Sequence, residues 1–187
     1  MISKKIVKFI FKTKTFCAKN INEKDINFNY INALSTKRFV RFNKKKKKTS
    51  FSKQANYIQE INKSSDRILI GFFNKKVLIG TVGAQKISEK KSYIGILLFD
   101  EAFKGIGFSK IMLQTTSLML LNKFKVSMVY ATVNKKNIIS HNLFSGLGFK
   151  PHKSHPKRYK SDVVYYIQTS TLKRLLAKNQ NFKIKSI

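Results

Sequence analysis

Apolar and polar positions alternate along this chain with two periods. Runs with period near two, rich in Ile, Val, Phe and Tyr, predict strands over 13–20, 67–73, 76–84, 92–99, 126–133 and 163–168. The second and third are joined at Asn74-Lys75, a short connection that predicts a hairpin. Apolar residues three or four apart predict helices between these strands. One follows an Asn22 cap and runs through Phe28, Ile31 and Leu34; another follows Ser50 or Ser52 and runs through Ala55, Ile58 and Ile61. A third, Lys110 to Leu121, presents Ile111, Met112, Thr115, Leu118 and Met119 on one face. A fourth, Asn137 to Leu147, is closed by Gly148, and a basic helix over 171–178 ends the pattern. The run SYIGILLF over 92–99 is nearly all apolar, as in a central strand covered on both faces. Residues 1–12 lack a clean period and read as a basic tail. The order is mixed α/β, with one crossover helix between the strands 92–99 and 126–133. It divides into the tail 1–12, a domain over 13–169 and a basic extension over 170–187.

A length of 187 residues suits one domain, and 42% apolar residues with 16 Phe and 7 Tyr supply a core. No run approaches the roughly 18 apolar residues of a membrane-spanning helix. The amino-terminal apolar stretch is interrupted by Lys8 and Lys12 and lacks a small-residue cleavage site, so it does not read as a secretion signal. The single cysteine, Cys17, rules out an intrachain disulfide and a cysteine-rich metal site, and no metal is expected. These features place the protein in the cytoplasm.

The net charge of +31 is the outlying number. Such a surface attracts nucleotides, nucleic acids and anionic membranes alike. Most of the charge is lysine, with arginine only at Arg38, Arg41, Arg67, Arg158 and Arg174, and arginine is the residue that reads phosphates and bases in fixed geometry. The run Lys44–Lys48 reads as a solvated loop or as a phosphate-binding element. Charge alone does not make this a nucleic-acid-binding protein.

The informative segment is Lys104-Gly105-Ile106-Gly107-Phe108-Ser109 entering the third helix. Glycines let the backbone turn sharply and approach a ligand closely. The first N–H groups of a helix lack partners and lie at the positive end of its dipole, so such a turn suits phosphate or diphosphate. A plain tight turn between strand and helix has the same look, and at this point both readings stand.

Beyond the turn, Asn137, Ser140, Leu143, Phe144, Gly148 and Phe149 fill a pattern N-x-x-A/S-x-x-L/F-Y/F-x-x-x-G-F. Strand, R/Q-G-x-G-x-G/A turn, helix, strand and this second motif together resemble the core of the GNAT N-acetyltransferase superfamily. The resemblance covers about 19–168 and is strongest over 93–149. It implies an α/β fold of a mixed, mostly antiparallel central sheet with a splayed central strand pair, flanked by helices. It implies acetyl-CoA as acyl donor, its pyrophosphate on the backbone of Lys104, Gly105, Ile106, Gly107, Phe108 and Ser109. It further implies that Leu97, Leu98 and Phe99 pair with the pantetheine arm, with Asn137 beside it.

Two positions depart from the family pattern. Lys104 stands at the turn's arginine or glutamine, keeping the charge, and Phe144 stands where a tyrosine often protonates the departing thiolate. Phenylalanine donates no proton, but a thiolate is a fair leaving group, since a free cysteine thiol has a pKa of about 8.5. The attacking amine must be neutral, which calls for a base or a water chain. Among the eight acidic residues the candidates are Asp100 and Glu101, whose alternative role is as solvated turn carboxylates. His141 is the other candidate, or else an exposed histidine, and relatives often place the base at the position of Tyr93. His152 and His155, with Tyr165 or Tyr166, fall where an acceptor pocket would be lined. The stretch over 94–109 resembles a branch that acetylates amino sugars of sugar nucleotides, so a nucleotide-linked amino sugar is the expected acceptor. A sister branch acetylates amino termini of ribosomal proteins. A degenerate GNAT fold that binds nucleic acid or the ribosome is the non-enzymatic alternative.

Overall fold

A computed structural model describes residues 7–37, 39, 49–153, 160–177 and 182–186. The strands are β1 (Val7–Phe11), β2 (Lys14–Asn20), β3 (Arg67–Asn74), β4 (Val77–Gln85), β5 (Lys91–Leu98), β6 (Met128–Asn134), β7 (Lys150–Pro151), β8 (Asp162–Gln168) and β9 (Phe182–Ser186). The helices are α1 (Phe28–Ser35), α2 (Phe51–Lys63), α3 (Phe108–Phe124), α4 (Ile138–Ser145) and α5 (Thr169–Ala177). Among the described residues the strands form one sheet in the order β7-β8-β6-β5-β4-β3-β2-β1-β9. All its neighbours are antiparallel except β5 and β6, which the crossover through α3 makes parallel.

Each face of the sheet carries its own core. On one, Phe9, Phe16, Phe72, Val82, Val129 and Ala131 meet Phe108, Ile111 and Met112 of α3. On the other, Ile21, Leu69, Phe73 and Leu78 meet Tyr30 and Leu34 of α1 and Ile58 and Ile61 of α2. Full burial of such side chains contributes roughly 1.5–3 kcal/mol each. Helix α3 is enclosed on nearly all sides, with α5 packed over it, so even Gln114, Thr115, Thr116 and Ser117 are buried.

Several expectations shift. Residues 7–11 of the supposed tail form β1, with Val7, Phe9 and Phe11 buried. The turn from β1 to β2 is Lys12-Thr13, both at positive φ (44° and 69°), which fits a two-residue hairpin without the usual Asn-Gly. Part of the supposed carboxy-terminal extension likewise joins the sheet, as β9 beside β1. The second hairpin turns at Lys75-Lys76, one residue later than expected. The first predicted helix is two pieces, a 3-10 turn Glu23–Asp25 capped by Asn22 and α1 capped by Asn27. Phe28 is therefore 68% exposed, and Tyr30, Ile31 and Leu34 form the inward face. Strand β3, rather than β5, is buried along both faces, whereas β5 past Ile94 stays partly open. The lysine run Lys44–Lys48 and His155 lie outside the described residues.

Candidate active site

Strand β5 pairs with β4 from Tyr93 to Leu98 but with β6 only through Lys91↔Met128, Ser92↔Val129 and Tyr93↔Tyr130. The two parallel strands are tied at their start, where Ser127 donates its N–H to Glu89 O (2.8 Å) and its hydroxyl to Lys90 O (2.9 Å). Past Tyr93 the pairing with β6 stops, and a gap opens toward the carboxyl ends of both strands. The backbone bordering it is set by alternation. Phe99 donates its N–H to Ile79 O (3.2 Å), so the odd positions, Leu97 and Phe99, turn their polar groups to β4. Leu98 and Ile96 turn theirs to the gap. Of the three residues expected to pair with pantetheine, Leu98 has that orientation; Ile96 has it too and was not singled out from the sequence.

At the open end of the gap lies the glycine-rich turn. Gly105 and Gly107 have φ of +74° and +91°, and a Cβ built on either meets nothing within 4 Å. Gly107 is the N-cap of the 17-residue helix α3, which has no side-chain cap and no acidic residue in its first turn. The positive end of a long helix thus faces open space that a side chain would fill, as a diphosphate site requires. Phe108 serves the turn differently: its ring is fully buried against Phe11, Phe16 and Phe103, at centroid distances of 5.5, 4.8 and 5.1 Å. The amino-terminal hairpin thereby anchors the start of α3. Ser109 is the second helical residue, and Ile106 is exposed at the tip of the turn. Lys110 reaches across to α4, its Nζ lying 3.5 Å from the point where Gly146 would carry a Cβ.

Two of the charged residues at this end pair with each other, and a third caps a turn. Lys104 contacts the Glu101 carboxylate, and Asp100 Oδ1 accepts from Ala102 N (3.0 Å), capping the short turn Glu101–Phe103. An exposed ion pair of this kind contributes little and exchanges readily for a diphosphate partner. Asp100 lies seven residues along the chain from Tyr93, about 23 Å if fully extended, so both carboxylates sit at the end of the gap that carries the glycine-rich turn.

Helix α4 forms the other wall. Asn137 caps it, its Oδ1 accepting from Ser140 N (3.4 Å). Phe144 is 3% exposed, packed on Phe149 and Tyr165 at centroid distances of 5.1 and 6.3 Å. His141 is held at both nitrogens: Nδ1 lies 2.8 Å from Tyr165 Oη and Nε2 3.1 Å from Asn134 O. A carbonyl only accepts, so Nε2 carries the proton and Nδ1 accepts from the phenol in the neutral ring. This arrangement clamps α4 to β6 and β8. Tyr165 therefore faces α4, and Tyr166, the next residue, faces the opposite side of the sheet beside Tyr130.

These features match known proteins. The sequence profile of the Acetyltransferase (GNAT) family aligns with residues 31–149. The chain belongs to that family. It is an acyl-CoA-dependent N-acyltransferase with acetyl-CoA as donor. Among solved structures, spermidine N-acetyltransferase from Vibrio cholerae, in complex with CoA and spermine, is 16% identical with a TM-score of 0.72, covering 84% of this chain and 97% of that one. RimJ of Mycobacterium smegmatis, in complex with CoA-disulfide, is 9% identical with a TM-score of 0.74, covering 96% and 97%. The N-acetyltransferase PseH of Campylobacter jejuni, in complex with acetyl coenzyme A, is 19% identical with a TM-score of 0.59, covering 81% and 98%. At such identities the likeness establishes the fold. No curated protein matches the sequence significantly.

The residues present fit acetyl-CoA. The cradle over Gly105 and Gly107 would hold its diphosphate, with Lys104 and Lys110 adding charge, and the outward backbone of Ile96 and Leu98 would hold its arm. When bound, it supplies an activated acetyl group on a thiolate leaving group. Among the described residues no cluster of His, Cys, Asp and Glu is arranged to hold a metal, and no helix is long and apolar enough to cross a membrane.

Proposed function

We propose that this enzyme, acting in the cytoplasm, acetylates the free amine of a sugar carried on a nucleotide. The observation behind this reading is the placement of the negative charge. Of the eight acidic residues, Glu23 and Asp25 belong to a capping turn, where Asp25 binds Lys19 Nζ at 2.8 Å, and Asp66 accepts from Ser64. Glu60 lies on α2, and Glu89 in the turn before β5. Asp100 and Glu101 sit at the diphosphate end, and Asp162 is buried on β8 opposite Asn134. None is a cross-strand partner of Tyr93, where the gap closes; along that row Asp66 comes nearest in register, next to Arg67 on β3, two strands away. A polyamine or a basic peptide needs carboxylates there; a nucleotide diphosphate needs the lysines this surface has in excess.

In this reading the acyl end of the donor lies toward the closed end of the gap. Proton removal from the amine is then not the task of Asp100 or Glu101. His141, with both nitrogens engaged, positions α4. Tyr93 lies closest to the closed end, and burial together with the neighbouring Tyr130 raises its phenol above the usual range, so it stays neutral and orients rather than ionises. Water is left to carry the proton, and Phe144 supplies packing without acid chemistry.

The test is a panel of UDP- and CMP-linked amino sugars, spermidine, basic amino-terminal peptides and DNA, each with acetyl-CoA at low and physiological salt. Turnover on an amino sugar nucleotide is expected. Turnover on peptides or spermidine alone would reverse the choice of acceptor. Tight DNA binding with a steep salt slope and no acetyl transfer would indicate a non-enzymatic role.

A further inference from the structure

The face of the sheet that carries α1 and α2 has those helices over β3 and β4. Over β5, β6 and β8 it carries something else. The cross-strand pairs Gln85↔Tyr93, Tyr93↔Tyr130, Tyr130↔Tyr166 and Lys150↔Tyr166 run in one register. They place Gln85, three tyrosines and Lys150 in a single row across five strands, and paired residues project to the same side. Tyr93 and Tyr130 stack at 5.4 Å with planes 27° apart, and Tyr130 and Tyr166 lie at 6.3 Å and 31°. His152 packs its ring against Tyr166 at 5.1 Å. All four rings are half-buried. At the β4 end, Lys86 holds its ammonium 5.6 Å from the Tyr93 centroid.

This row crosses the sheet where β5 and β6 part, so it borders the closed end of the gap. A column of phenol rings with an amine at each end has a definite chemistry. The rings stack with any flat π-system, the lysines attract phosphate, and the Gln85 amide both donates and accepts. A cationic ligand is poorly matched, because Lys86 already occupies the cation–π position on Tyr93 and no carboxylate stands in the row.

We infer that the Tyr93–Tyr130–Tyr166 row, with Lys86 and Lys150, is the acceptor-specificity subsite and binds the base and phosphates of a nucleotide. This deepens the reading of a nucleotide-linked acceptor and rests on it, but it is tested without an amine. The probe is UDP, added to protein saturated with CoA so that the coenzyme's own nucleotide site is filled. Binding is read by calorimetry and by tyrosine fluorescence.

UDP is expected to bind more tightly than ribose 5-phosphate, which has the phosphate and no base. Tyr130→Leu is expected to weaken UDP about tenfold to a hundredfold, the size of one lost base–ring stack, and to leave CoA affinity unchanged. Tyr130→Phe keeps the ring and is expected to stay within about threefold of wild type, which separates stacking from misfolding. Lys86→Gln is expected to weaken UDP and to flatten its salt dependence. Equal binding of UDP and ribose 5-phosphate, or UDP affinity indifferent to Tyr130→Leu, would overturn the subsite. So would spermidine binding that Tyr130→Leu abolishes. The two readings fail separately. Turnover on a non-nucleotide amine with Tyr130-dependent UDP binding removes the proposed acceptor, and with it the row's part in choosing the acceptor, and leaves only a nucleotide-binding site. Sugar-nucleotide turnover indifferent to Tyr130→Leu removes the subsite and leaves the acceptor.

Discussion

Replacing Gly107 by alanine and, separately, by aspartate divides the glycine-rich turn's backbone role from its electrostatic one. Gly107 sits at φ +91° with open space where a Cβ would go, so both variants share backbone strain and the Cβ of neither clashes with protein atoms. For alanine that strain costs about 1–2 kcal/mol, and at roughly 2–4 °C per kcal/mol for a domain of this size Tm should fall by roughly 2–8 °C. Aspartate tolerates the left-handed region better than alanine. It also places a carboxylate at the uncapped amino terminus of α3, where charge favours the helix by about 0.3–1 kcal/mol. Gly107→Asp should therefore be at least as stable as Gly107→Ala. Coenzyme affinity should move the other way. A carboxylate about 5 Å from a diphosphate charge, at an effective dielectric of about 20, is repelled by about 3 kcal/mol, or roughly a hundredfold in Kd. Calorimetry with acetyl-CoA alongside thermal melts of both variants reads the two effects, and raising salt should narrow the gap. Equal affinity of the two variants for acetyl-CoA would refute the diphosphate assignment.

Three further outcomes are expected. Phe144→Tyr should fold and keep its kcat, with a gain if the new hydroxyl reaches the leaving group, whereas Phe144→Leu loses activity through packing; a severe loss in the folded tyrosine variant would show that this residue does not flank the thioester. Thr115 is fully buried with an unpartnered hydroxyl, so Thr115→Val should raise stability by about 1 kcal/mol in denaturant titration, and a loss would mean that the hydroxyl has a hidden partner. Burial, reinforced by Tyr57, pushes the Tyr30 phenol well above its ordinary value while Gln54 Nε2 donates to it at 2.8 Å. The folded state thus holds this proton more tightly than the unfolded chain, and stability present below about pH 10 should fall as pH rises beyond it, read by circular dichroism. Tyr30→Phe should flatten that alkaline loss.

Much of the active-site half was legible in the sequence because its signals are local. A glycine pair before a periodic helix, and the spacing from Asn137 through Phe144 to Gly148, are set by turn sterics and by the helical repeat within a few residues. The cap at Ser50, one of two serines offered for α2, was readable for the same reason, since a short polar side chain bonds the N–H two or three residues on; Asn22 caps only the turn Glu23–Asp25, and α1 takes Asn27 instead. The β1 strand was not legible. Its five residues are interrupted by Lys8, and its turn through Lys12-Thr13 carries none of the residues that favour positive φ. Only pairing with β2 and β9, and the burial of Phe9 and Phe11 around Phe108, make it a strand.

The functional chemistry divides along the same line. Sequence by itself determined the family and the donor, and it singled out a glycine-rich turn suited to a diphosphate, because those signals depend on residues close together in the chain. It named His141, Asp100 and Glu101 as titratable candidates but not their partners, which lie on other elements or in the fold of the turn. Tertiary structure decided that His141 is tied to Tyr165 and Asn134, that Leu98 rather than Phe99 turns its backbone to the gap, and that Tyr93, Tyr130 and Tyr166 stand in one row. Residues 37 and 36 positions apart become neighbours only through strand register, and register is fixed by the whole sheet and its two cores rather than by any segment of the chain.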